Sequence, residues 1–530
     1  MIWSAFALLL APQAVTVSVD AHAVQGSWRH VWQYFGHDEP NYTYMRHGRK
    51  LLTELAALSP EPVYIRVHNL LTSGDGTPAL KWGSTNVYTE DAAGRPVYDW
   101  KIMDRIFDTW IERRMRPFVE IGFMPEALSV KPQPYLRRWP KPDDGKGWAY
   151  PPRDYARWGE LIYQWVRHSV ERYGRREVAA WFWELWNEPD ISYWQGTPEE
   201  YFKLYEVTVR AVKRALPEAR VGGPGTTGPG NPKAAAFLRN FLAACDRTGI
   251  PLDFISYHAK GRPQVVEGRV RMGTAKELTD VSRGMEIIAS FPRFRKLPIY
   301  LTEADPEGCA ACSARVYPHN AYRNTTLYPA NYAVVLRGIL ELAARHQVNL
   351  QGVLTWAFEF EDQPWFDGFR TLATNGVDKP VLNVFRMLGL LHGDRIKAES
   401  DAAVPLDELL SNGLRDRPDI NAIATRAPRE ISILLWNTHD DDLPAEAAAI
   451  KLSLAGIEAP RVQLRHYRID ETHSNAYTLW KKLGAPAPEL ESAGQLQMLH
   501  SPEFRTADNG RLALEFALPR QALSLVQVSW

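Results

Sequence analysis

Eight apolar strands alternate with amphipathic helices between about residue 31 and residue 358. Strands whose residues are almost all apolar are buried on both faces, which is typical of a parallel sheet covered by helices. Eight such units in series predict an α/β fold, a (β/α)8 TIM barrel with enlarged loops. A doubly wound open sheet is the alternative, but it leaves the polar end of the eighth strand unexplained. We expect the strands at residues 31–36, 62–68, 116–123, 178–188, 219–223, 252–258, 297–303 and 350–358.

From about residue 400 the pattern changes to short runs in which apolar and polar residues alternate. Such runs at 430–436, 449–455, 461–467 and 522–528 predict an accessory β-sandwich domain. Residues 15–20 alternate in the same way and precede the barrel repeat, so we expect them to complete this sandwich. The predicted division is a possible signal peptide at 1–14, a sandwich strand at 15–27, the catalytic barrel at 28–395 and the C-terminal β-sandwich at 396–530.

The first 14 residues form an apolar run that is too short to span a bilayer and is followed by small residues. This resembles a signal peptide without a basic start and predicts a periplasmic or secreted protein, with the cytoplasm as the alternative. No later segment reaches transmembrane length, so we expect no membrane partner.

Charge and composition favour an uncharged ligand. Lys and Arg together number 62, as do Asp and Glu, so no overall field attracts nucleic acid or an anionic membrane. The 19 Trp and 22 Tyr mostly fill cores, but some can supply flat faces on which sugar rings stack. These observations predict a small carbohydrate substrate and no nucleic-acid partner, and they leave the oligomeric state open.

Two glutamates stand at the ends of predicted strands, Glu188 after the fourth and Glu303 after the seventh. Either residue alone is more often a solvated charge or a helix-cap partner. In a parallel barrel, however, all strands end at one face, where the chemistry is located, and a pair of carboxylates is what glycoside hydrolysis requires. Glu184 lies inside the fourth strand, so we expect it to be a buried carboxylate satisfied by an arginine or a hydroxyl.

The other strand ends add polar and aromatic groups to this pair. Neither a metal-ligand spacing nor a Gly-x-Ser-x-Gly elbow occurs in the sequence, so we expect no metal and no cofactor. The predicted ring around the barrel mouth consists of His68, Asn187, Glu188, His258, Glu303 and Trp356.

The segments Trp186-Asn-Glu-Pro189 and Leu301-Thr-Glu303 resemble the retaining glycosidases of clan A. The wider pattern resembles glycoside hydrolase family 39, the family of β-xylosidases and α-L-iduronidases. Stretches that carry this resemblance across most of the chain are 35–42, 66–75, 119–126, 256–258 and 356–363.

The resemblance implies a role for each matching residue. Glu188 would be the acid/base, Glu303 the nucleophile, and Asn187 would hold the sugar 2-hydroxyl. The remaining implied contacts are His258 and Tyr257 beside Glu303 and the sugar ring, Trp356 as the pocket floor, and His68, Glu361 and Asp362 on sugar hydroxyls. For His68, a core histidine with satisfied hydrogen bonds is an equally good interpretation.

The activity implied by this resemblance is that of an exo-acting, retaining β-xylosidase that releases terminal β-D-xylosyl residues and so contributes to xylan degradation. Two alternatives stay open at this point. One is a glycosidase of other specificity, including one for an iduronic acid or another β-glycoside. The other is a carbohydrate-binding barrel without turnover.

The chain contains three cysteines: Cys245, Cys309 and Cys312. The spacing of the last two, without a second such pair or neighbouring histidines, is weak evidence for zinc. Because they follow Glu303 closely, oxidation in an exported protein could close a small loop next to the nucleophile. Two reduced and inert thiols are the alternative.

Overall fold

The computed structural model describes residues 14–140 and 145–530. Eight parallel strands close into a barrel in which each strand pairs with its neighbours in chain order and the eighth pairs with the first. The predicted TIM barrel is therefore confirmed, and the open sheet is wrong. The barrel strands are Tyr34–His37, Tyr64–Val67, Arg116–Ile121, Phe182–Leu185, Arg220–Thr226, Phe254–Lys260, Pro298–Asp305 and Asn349–Trp356.

A helix follows each barrel strand and covers the outside of the barrel. Several of these helices begin at residues that satisfy their free N–H groups. Before the helix of 198–215, Thr197 and Glu200 form a capping box, with N–H to oxygen distances of 3.2 and 2.7 Å. The eight helices are Arg46–Ala56, Lys101–Ile111, Tyr155–Tyr173, Pro198–Ala215, Pro232–Thr248, Thr274–Ala289, Leu327–His346 and Pro380–Gly389.

The fourth barrel strand, Phe182–Leu185, is much shorter than the predicted 178–188. Val178 ends a short helix, Arg175–Val178, so the chain enters the barrel only at Phe182. At the other end Trp186 has a φ of 69°, in the left-handed region, which a strand does not contain. The apolar run is therefore buried as predicted, but only its centre is strand.

Aromatic side chains fill the N-terminal half of the barrel interior. The ring centroid of Phe182 lies 4.9 Å from that of Phe118 and 4.7 Å from that of Tyr300, and Tyr34 and Phe254 join the same cluster. Side chains alternate across a strand, so residues two positions further along also face inward. This layer is the packed base on which the polar groups of the site stand.

The C-terminal domain is rich in sheet. Its described strands form one ten-stranded sheet. In this sheet, residues 15–27 form a strand that pairs antiparallel with Asp394–Ser400 and parallel with Ala448–Ala455. Strands near opposite ends of this sheet share one apolar core, so the sheet curls over on itself. Its strands are Val15–Ser27, Asp394–Ser400, Asp419–Ala427, Glu430–Thr438, Ala448–Ala455, Arg461–Ile469, Gln497–Met498, Glu503–Thr506, Arg511–Leu518 and Ala522–Ser529.

A buried ion pair joins the barrel to this domain. Arg337, on the barrel helix of 327–346, lies 3.3 Å from Asp419 of the sheet. The indole N–H of Trp436 donates to the same carboxylate at 2.7 Å. Because removing one partner of a buried pair leaves an uncompensated charge, this contact fixes how the two domains meet.

Among the described residues, no helix combines the length and apolar character needed to cross a bilayer. Of the predicted signal peptide, residues 1–13 lie outside the described part of the chain.

Shorter elements lie in the loops. The additional helices are Leu406–Asn412, Ala476–Leu483 and Glu489–Gly494, with 3-10 turns at Pro40–Tyr44, Glu126–Leu128, Gly147–Ala149 and Pro318–Asn324. The hairpin strands are Tyr88–Glu90 with Pro96–Tyr98, Gln264–Val266 with Arg269–Arg271, and Ala373–Thr374 with Val377–Asp378.

Candidate active site

Glu303 points into the barrel because the seventh strand is irregular at this point. The pairing of this strand with the sixth skips one residue between Leu301 and Glu303, so Thr302 is a bulge. Thr302 donates to Glu184 at 2.9 Å inside the barrel, and Glu303 also faces inward, which strict alternation would not allow. The bulge thus directs the Glu303 carboxylate to the mouth of the barrel.

Glu188 reaches the same place from the fourth strand. It has a left-handed φ of 48°, and its N–H donates to the carbonyl of Gly225 at 2.8 Å. A non-glycine residue in this region is uncommon and is held there by its surroundings. Its Oε1 lies 3.0 Å from Nδ1 of His258. One oxygen of Glu188, one of Glu303 and one ring nitrogen of His258 all lie within 4.8 Å of one another.

The fully buried guanidinium of Arg66 connects the acidic residues below the mouth. Its Nε lies 2.6 Å from Glu184, and its Nη2 lies 3.0 Å from Glu120. It also donates to the Oδ1 of Asn187 at 3.1 Å and to Glu303 at 3.4 Å. These contacts, with the hydrogen bond from Thr302, confirm the prediction that Glu184 is a buried carboxylate satisfied by an arginine or a hydroxyl, since it has both. The contact from Arg66 also orients Asn187.

Lys260 neutralises the Glu303 carboxylate. Its ammonium lies 2.7 Å from Oε2 of Glu303 and 2.6 Å from Asp305. Burial alone would raise the pKa of Glu303, but the charges of Lys260, His258, His68 and Arg66 outweigh it and hold this pKa well below its ordinary value. Glu303 is therefore ionised over the whole neutral and mildly acidic range, as a nucleophile must be.

His68 lies on the opposite side of Glu303. Its Nδ1 is 2.6 Å from Glu120, and its Nε2 is 3.2 Å from Asp38 and 3.8 Å from Glu303. The Asp38 carboxylate accepts from the indole N–H of Trp356 at 2.9 Å and pairs with Lys81. Burial would raise the pKa of Asp38, yet Lys81 and His68 lower it to about 2. His68 therefore belongs to the polar network at the mouth, with its Nδ1 hydrogen-bonded to Glu120.

Trp356 is almost completely buried beneath this network. Its ring centroid is 4.2 Å from that of His68, and the Arg66 guanidinium lies 5.1 Å from the indole. Its backbone N–H donates to Asp305 at 2.9 Å. Trp356 therefore supports the polar network from below but is not among the residues that line the cavity described below, and its role as a pocket floor stays a prediction.

Tyr257 does not join the site, contrary to expectation. It lies between Ser256 and His258 on the sixth strand, and the alternation of side chains turns it toward the helix layer. There its hydroxyl donates to the carbonyl of Val281 at 2.9 Å and its ring packs on Gly284. The expectation of contact with Glu303 overlooked the period of the strand.

Glu361 and Asp362 make other contacts than those expected. Glu361 accepts a hydrogen bond from the N–H of His47 at 2.9 Å, in the first turn of the helix of 46–56. Asp362 is exposed, and its backbone N–H donates to Asn375 at 3.1 Å. Among the described residues, neither carboxylate contacts Glu188 or Glu303. The loop after the eighth strand carries both toward helix caps and turns.

A small cavity opens beside the carboxylates. It has a volume of about 10 Å³, room for about one water molecule, and is bounded by Asp38 and His68 on the side of Glu303. The cavity lies next to the carboxylate pair, not directly on it. Its remaining lining residues are Asn69, Lys81, Trp82, Phe123, Arg137, Trp148 and Tyr193.

Glu188, His258 and Glu303 are close enough together to hold a metal ion. However, the Lys260 ammonium and the Arg66 guanidinium already contact Glu303 at 2.7 and 3.4 Å. Two cations on one carboxylate compete with a third, so the electrostatics of this set fit a carboxylate pair better than a metal centre.

The segment after Glu303 is fixed by a disulfide between Cys309 and Cys312. The fully buried Arg323 donates to the carbonyls of both cysteines, at 2.6 and 2.8 Å, and pairs with Glu307. Of the two alternatives left open by the sequence, the structure has the closed loop. Cys245 is a buried free thiol.

Sequence reasoning missed several residues of the site, among them Arg66, Lys260, Asp38 and Lys81. Arg66 and Lys260 each lie two residues from a predicted site residue on the same strand, so the two-residue period could have identified them. Asp38 and Lys81 lie in different loops, and no local sequence pattern predicts that they pair.

Comparison with known proteins agrees with this geometry. Residues 15–512 match the family model for glycosyl hydrolases family 39. A β-xylosidase of Caldicellulosiruptor saccharolyticus is 31% identical over 401 residues, which cover 73% of this chain and 72% of that protein. An α-L-iduronidase of Mus musculus is 26% identical over 472 residues, 82% and 68% of the two chains. A solved enzyme of the same family from Xanthomonas axonopodis pv. citri has the same fold, with a TM-score of 0.77, 22% identity and 98% coverage of both chains.

Proposed function

The chain belongs to glycosyl hydrolases family 39 and is a glycosidase, and from this premise we propose that it is a retaining, exo-acting β-xylosidase. Its substrates would be the terminal β-D-xylosyl residues of xylo-oligosaccharides or xylosides, as in xylan degradation. The relatives with this activity include the one that is 31% identical.

The proposed reaction is a double displacement. In the first step an oxygen of Glu303 attacks the anomeric carbon, the bond to the leaving oxygen breaks, and Glu188 transfers its proton to that oxygen. In the second step Glu188 removes a proton from water, and the resulting oxygen displaces Glu303 from the sugar. Asn187, oriented by Arg66, is the proposed partner of the sugar 2-hydroxyl.

The observation that carries this proposal is the spacing and charge of the two carboxylates. Retaining enzymes hold theirs about 5–5.5 Å apart, whereas inverting enzymes need about 6.5–9.5 Å to admit a water molecule. Oxygens of Glu188 and Glu303 within 4.8 Å favour retention. The contact between Glu303 and Lys260 supports an ionised nucleophile.

The test uses 4-nitrophenyl β-D-xyloside. We expect release of nitrophenol, and proton NMR at early times should show β-xylose as the first product. A first product with the α configuration would exclude retention.

A uronic acid glycoside is a second candidate, because a uronidase needs a cation near the sugar carboxylate. Lys260 is such a cation, although Glu303 and Asp305 already bind it. Turnover of an aryl α-L-iduronide with kcat/KM above that of the xyloside would favour this candidate. No turnover of any aryl glycoside by folded protein would instead favour a carbohydrate-binding barrel.

We also propose that the protein is exported to the periplasm or the medium. The apolar residues 1–14 and the disulfide between Cys309 and Cys312 support this location, since disulfides persist in oxidising compartments. Fractionation of the producing cells, with Edman sequencing of the mature N-terminus, tests it.

A further inference from the structure

Another cavity lies at the end of the barrel away from the two carboxylates. Val31, Lys296 and Leu350 line it, and they stand close to the residues where the first, seventh and eighth barrel strands begin. Glu188 and Glu303 lie at the other ends of their strands. With a volume of about 410 Å³, this basal cavity falls within the range of about 300–1,000 Å³ typical of small-molecule sites. It is a separate space that is large enough for a ligand.

One wall of the basal cavity comes from the C-terminal sheet. Gly26 and Arg395 are partners across two neighbouring strands of this sheet, and both line the cavity. Residues that oppose each other in this way share a face of the sheet, so the glycine leaves the space beside Arg395 unfilled. A Cβ atom added at Gly26 would have no neighbour within 4 Å. The Arg395 side chain therefore has room for a ligand beside it.

The charged residues of the wall are all cations. They are Arg29, Lys296 and Arg395, and the described lining includes no aspartate or glutamate. The chain as a whole is neutral, with 62 residues of each sign, so this concentration of positive charge is local. A concave surface lined by one sign of charge attracts ions of the other sign. The basal cavity thus favours an anion.

The three cations have few partners of their own. Neither the Arg29 nor the Arg395 side chain makes a hydrogen bond or an ion pair within the described part of the chain. Lys296 donates to the carbonyl of Gln347 at 3.4 Å. All three can therefore bind a ligand without giving up an ion pair.

Arg395 is half-buried and lacks a contacting acid. Glu341, on the helix of 327–346, is close enough to act on its charge but pairs with Arg337 at 3.0 Å. Burial lowers the pKa of Arg395, and the opposing effect of Glu341 does not cancel it. A carboxylate in the cavity would stabilise this guanidinium.

Apolar side chains lie beside the cations. Trp28, Val31, Leu340 and Leu350 contribute to the wall, and each is at least partly buried. The indole of Trp28 is only 8% exposed, and its N–H has no acceptor among the described residues. A buried donor without an acceptor is costly, so the wall has a further polar group to satisfy. Charge on one part of the wall and apolar surface on another suit a ligand that is itself amphipathic.

We propose that the basal cavity binds an amphipathic organic anion, a carboxylate on a compact apolar body. Arg29, Arg395 and Lys296 bind the carboxylate, and Trp28 and Leu340 contact the apolar body. A short alkyl chain and a fused aromatic ring both fit this description. Because the site contains neither carboxylate of the barrel mouth, it does not depend on the proposed glycosidase reaction.

Isothermal titration calorimetry of the full chain tests the proposal. The probes are octanoate and 2-naphthoate, their uncharged counterparts 1-octanol and 2-naphthylmethanol, and inorganic phosphate, which has no apolar body. The proteins are wild type, Arg395→Gln, Arg29→Gln and the control Arg465→Gln. Arg465 is also a half-buried arginine on a strand of the C-terminal sheet without an ion pair among the described residues, but it lies outside the cavity.

We expect one molecule of octanoate or 2-naphthoate to bind per chain, about fivefold or more tightly than its alcohol. The affinity should fall by a similar factor in Arg395→Gln, Arg29→Gln or both, and change less than twofold in Arg465→Gln. Arg29 is exposed, so its variant serves where Arg395→Gln does not fold. The carboxylate that binds more tightly identifies the apolar body as a chain or a ring.

Several results would overturn the proposal. They are no heat with either carboxylate, equal affinity for a carboxylate and its alcohol, and phosphate binding as tightly as the carboxylates. Wild-type affinity in both cavity variants, or an equal loss in Arg465→Gln, would also reject it. None of these measurements is turnover, so failure of the proposed β-xylosidase activity is visible separately and leaves this test intact.

Discussion

The ammonium of Lys260 lies 2.7 Å from Oε2 of Glu303, and the two residues stand on neighbouring strands of the barrel. The ammonium also binds Asp305 at 2.6 Å, so it is held from two sides. Together with Arg66 and the two histidines, it keeps the pKa of Glu303 low in spite of burial. The pairing of the sixth and seventh strands therefore places the ammonium that helps to keep the proposed nucleophile ionised.

Replacing Lys260 by Met should move the acidic limb of the pH profile. The acidic limb of kcat/KM reports the ionisation of groups in the free enzyme, and Glu303 must be ionised to attack. Without the ammonium the pKa of Glu303 rises, so activity should be lost at a higher pH than in wild type. We expect kcat/KM for aryl xyloside, relative to wild type, to fall further at pH 5 than at pH 7.

The matched control for this variant is Lys213→Met, since Lys213 also binds a carboxylate, Asp253, at 2.8 Å, but outside the site. Its profile should overlay that of wild type. An unchanged acidic limb in Lys260→Met would show that Lys260 does not set the ionisation of Glu303.

Replacing Glu188 by Gln should make the rate depend on the leaving group. A glutamine cannot donate the proton that a poor leaving group needs, but a dinitrophenolate departs without one. We expect kcat for unactivated substrates to fall about 10²–10⁴-fold and the first step with dinitrophenyl xyloside to be nearly unaffected. Glu303→Gln should lose activity on both, and equal losses on both substrates in Glu188→Gln would contradict the assignment.

Much of the barrel could be predicted because its strands are apolar and its helices are periodic. Each of the eight predicted strands overlaps one barrel strand, and Glu188 and Glu303 meet because parallel strands end at one face. The prediction failed where the chain departs from regular geometry. The left-handed turn at Trp186 and the bulge at Thr302 have no signature in an apolar run.

The contacts of the remaining site residues depend on long-range packing. The pairing of Asp38 with Lys81 joins loops 43 positions apart, and the pairing of Arg66 with Glu184 joins strands 118 positions apart. No local sequence pattern predicts contacts between residues that are so far apart in the chain. Tyr257, in contrast, could have been excluded, because its neighbour His258 was already assigned to the inner face of the same strand.

Replacing Glu359 by Gln should stabilise the protein at alkaline pH. Burial raises the pKa of Glu359 from 4.5 to about 8, so between these values the folded state holds a proton that the unfolded state has lost. The stability that this proton contributes is present at low pH and declines as the pH rises from 4.5 to about 8. Glutamine cannot ionise. Its side-chain carbonyl can still accept a hydrogen bond from the N–H of Gly376, which donates to Glu359 at 2.6 Å in the wild type.

Scanning calorimetry at pH 5 and pH 8 checks this expectation. The Tm of Glu359→Gln relative to wild type should be about 2–5 °C higher at pH 8 than at pH 5. The exposed Glu61, replaced in the same way, is the control and should show no such difference. A Tm difference that is independent of pH would contradict the pKa assigned to Glu359.

The disulfide between Cys309 and Cys312 should survive purification without reductant and add modest stability. We expect one titratable thiol after denaturation, that of Cys245, because the other two are bonded. Closing so short a loop removes only about 2 kcal/mol of unfolded-state entropy, so Cys309→Ser with Cys312→Ser should lower Tm by only about 1–3 °C. Arg323 holds the same loop through both cysteine carbonyls, which the double variant keeps, so kcat/KM should change less than twofold. Three thiols would show that the loop is open, and a loss of activity above tenfold would show that the disulfide, not Arg323, positions the segment after Glu303.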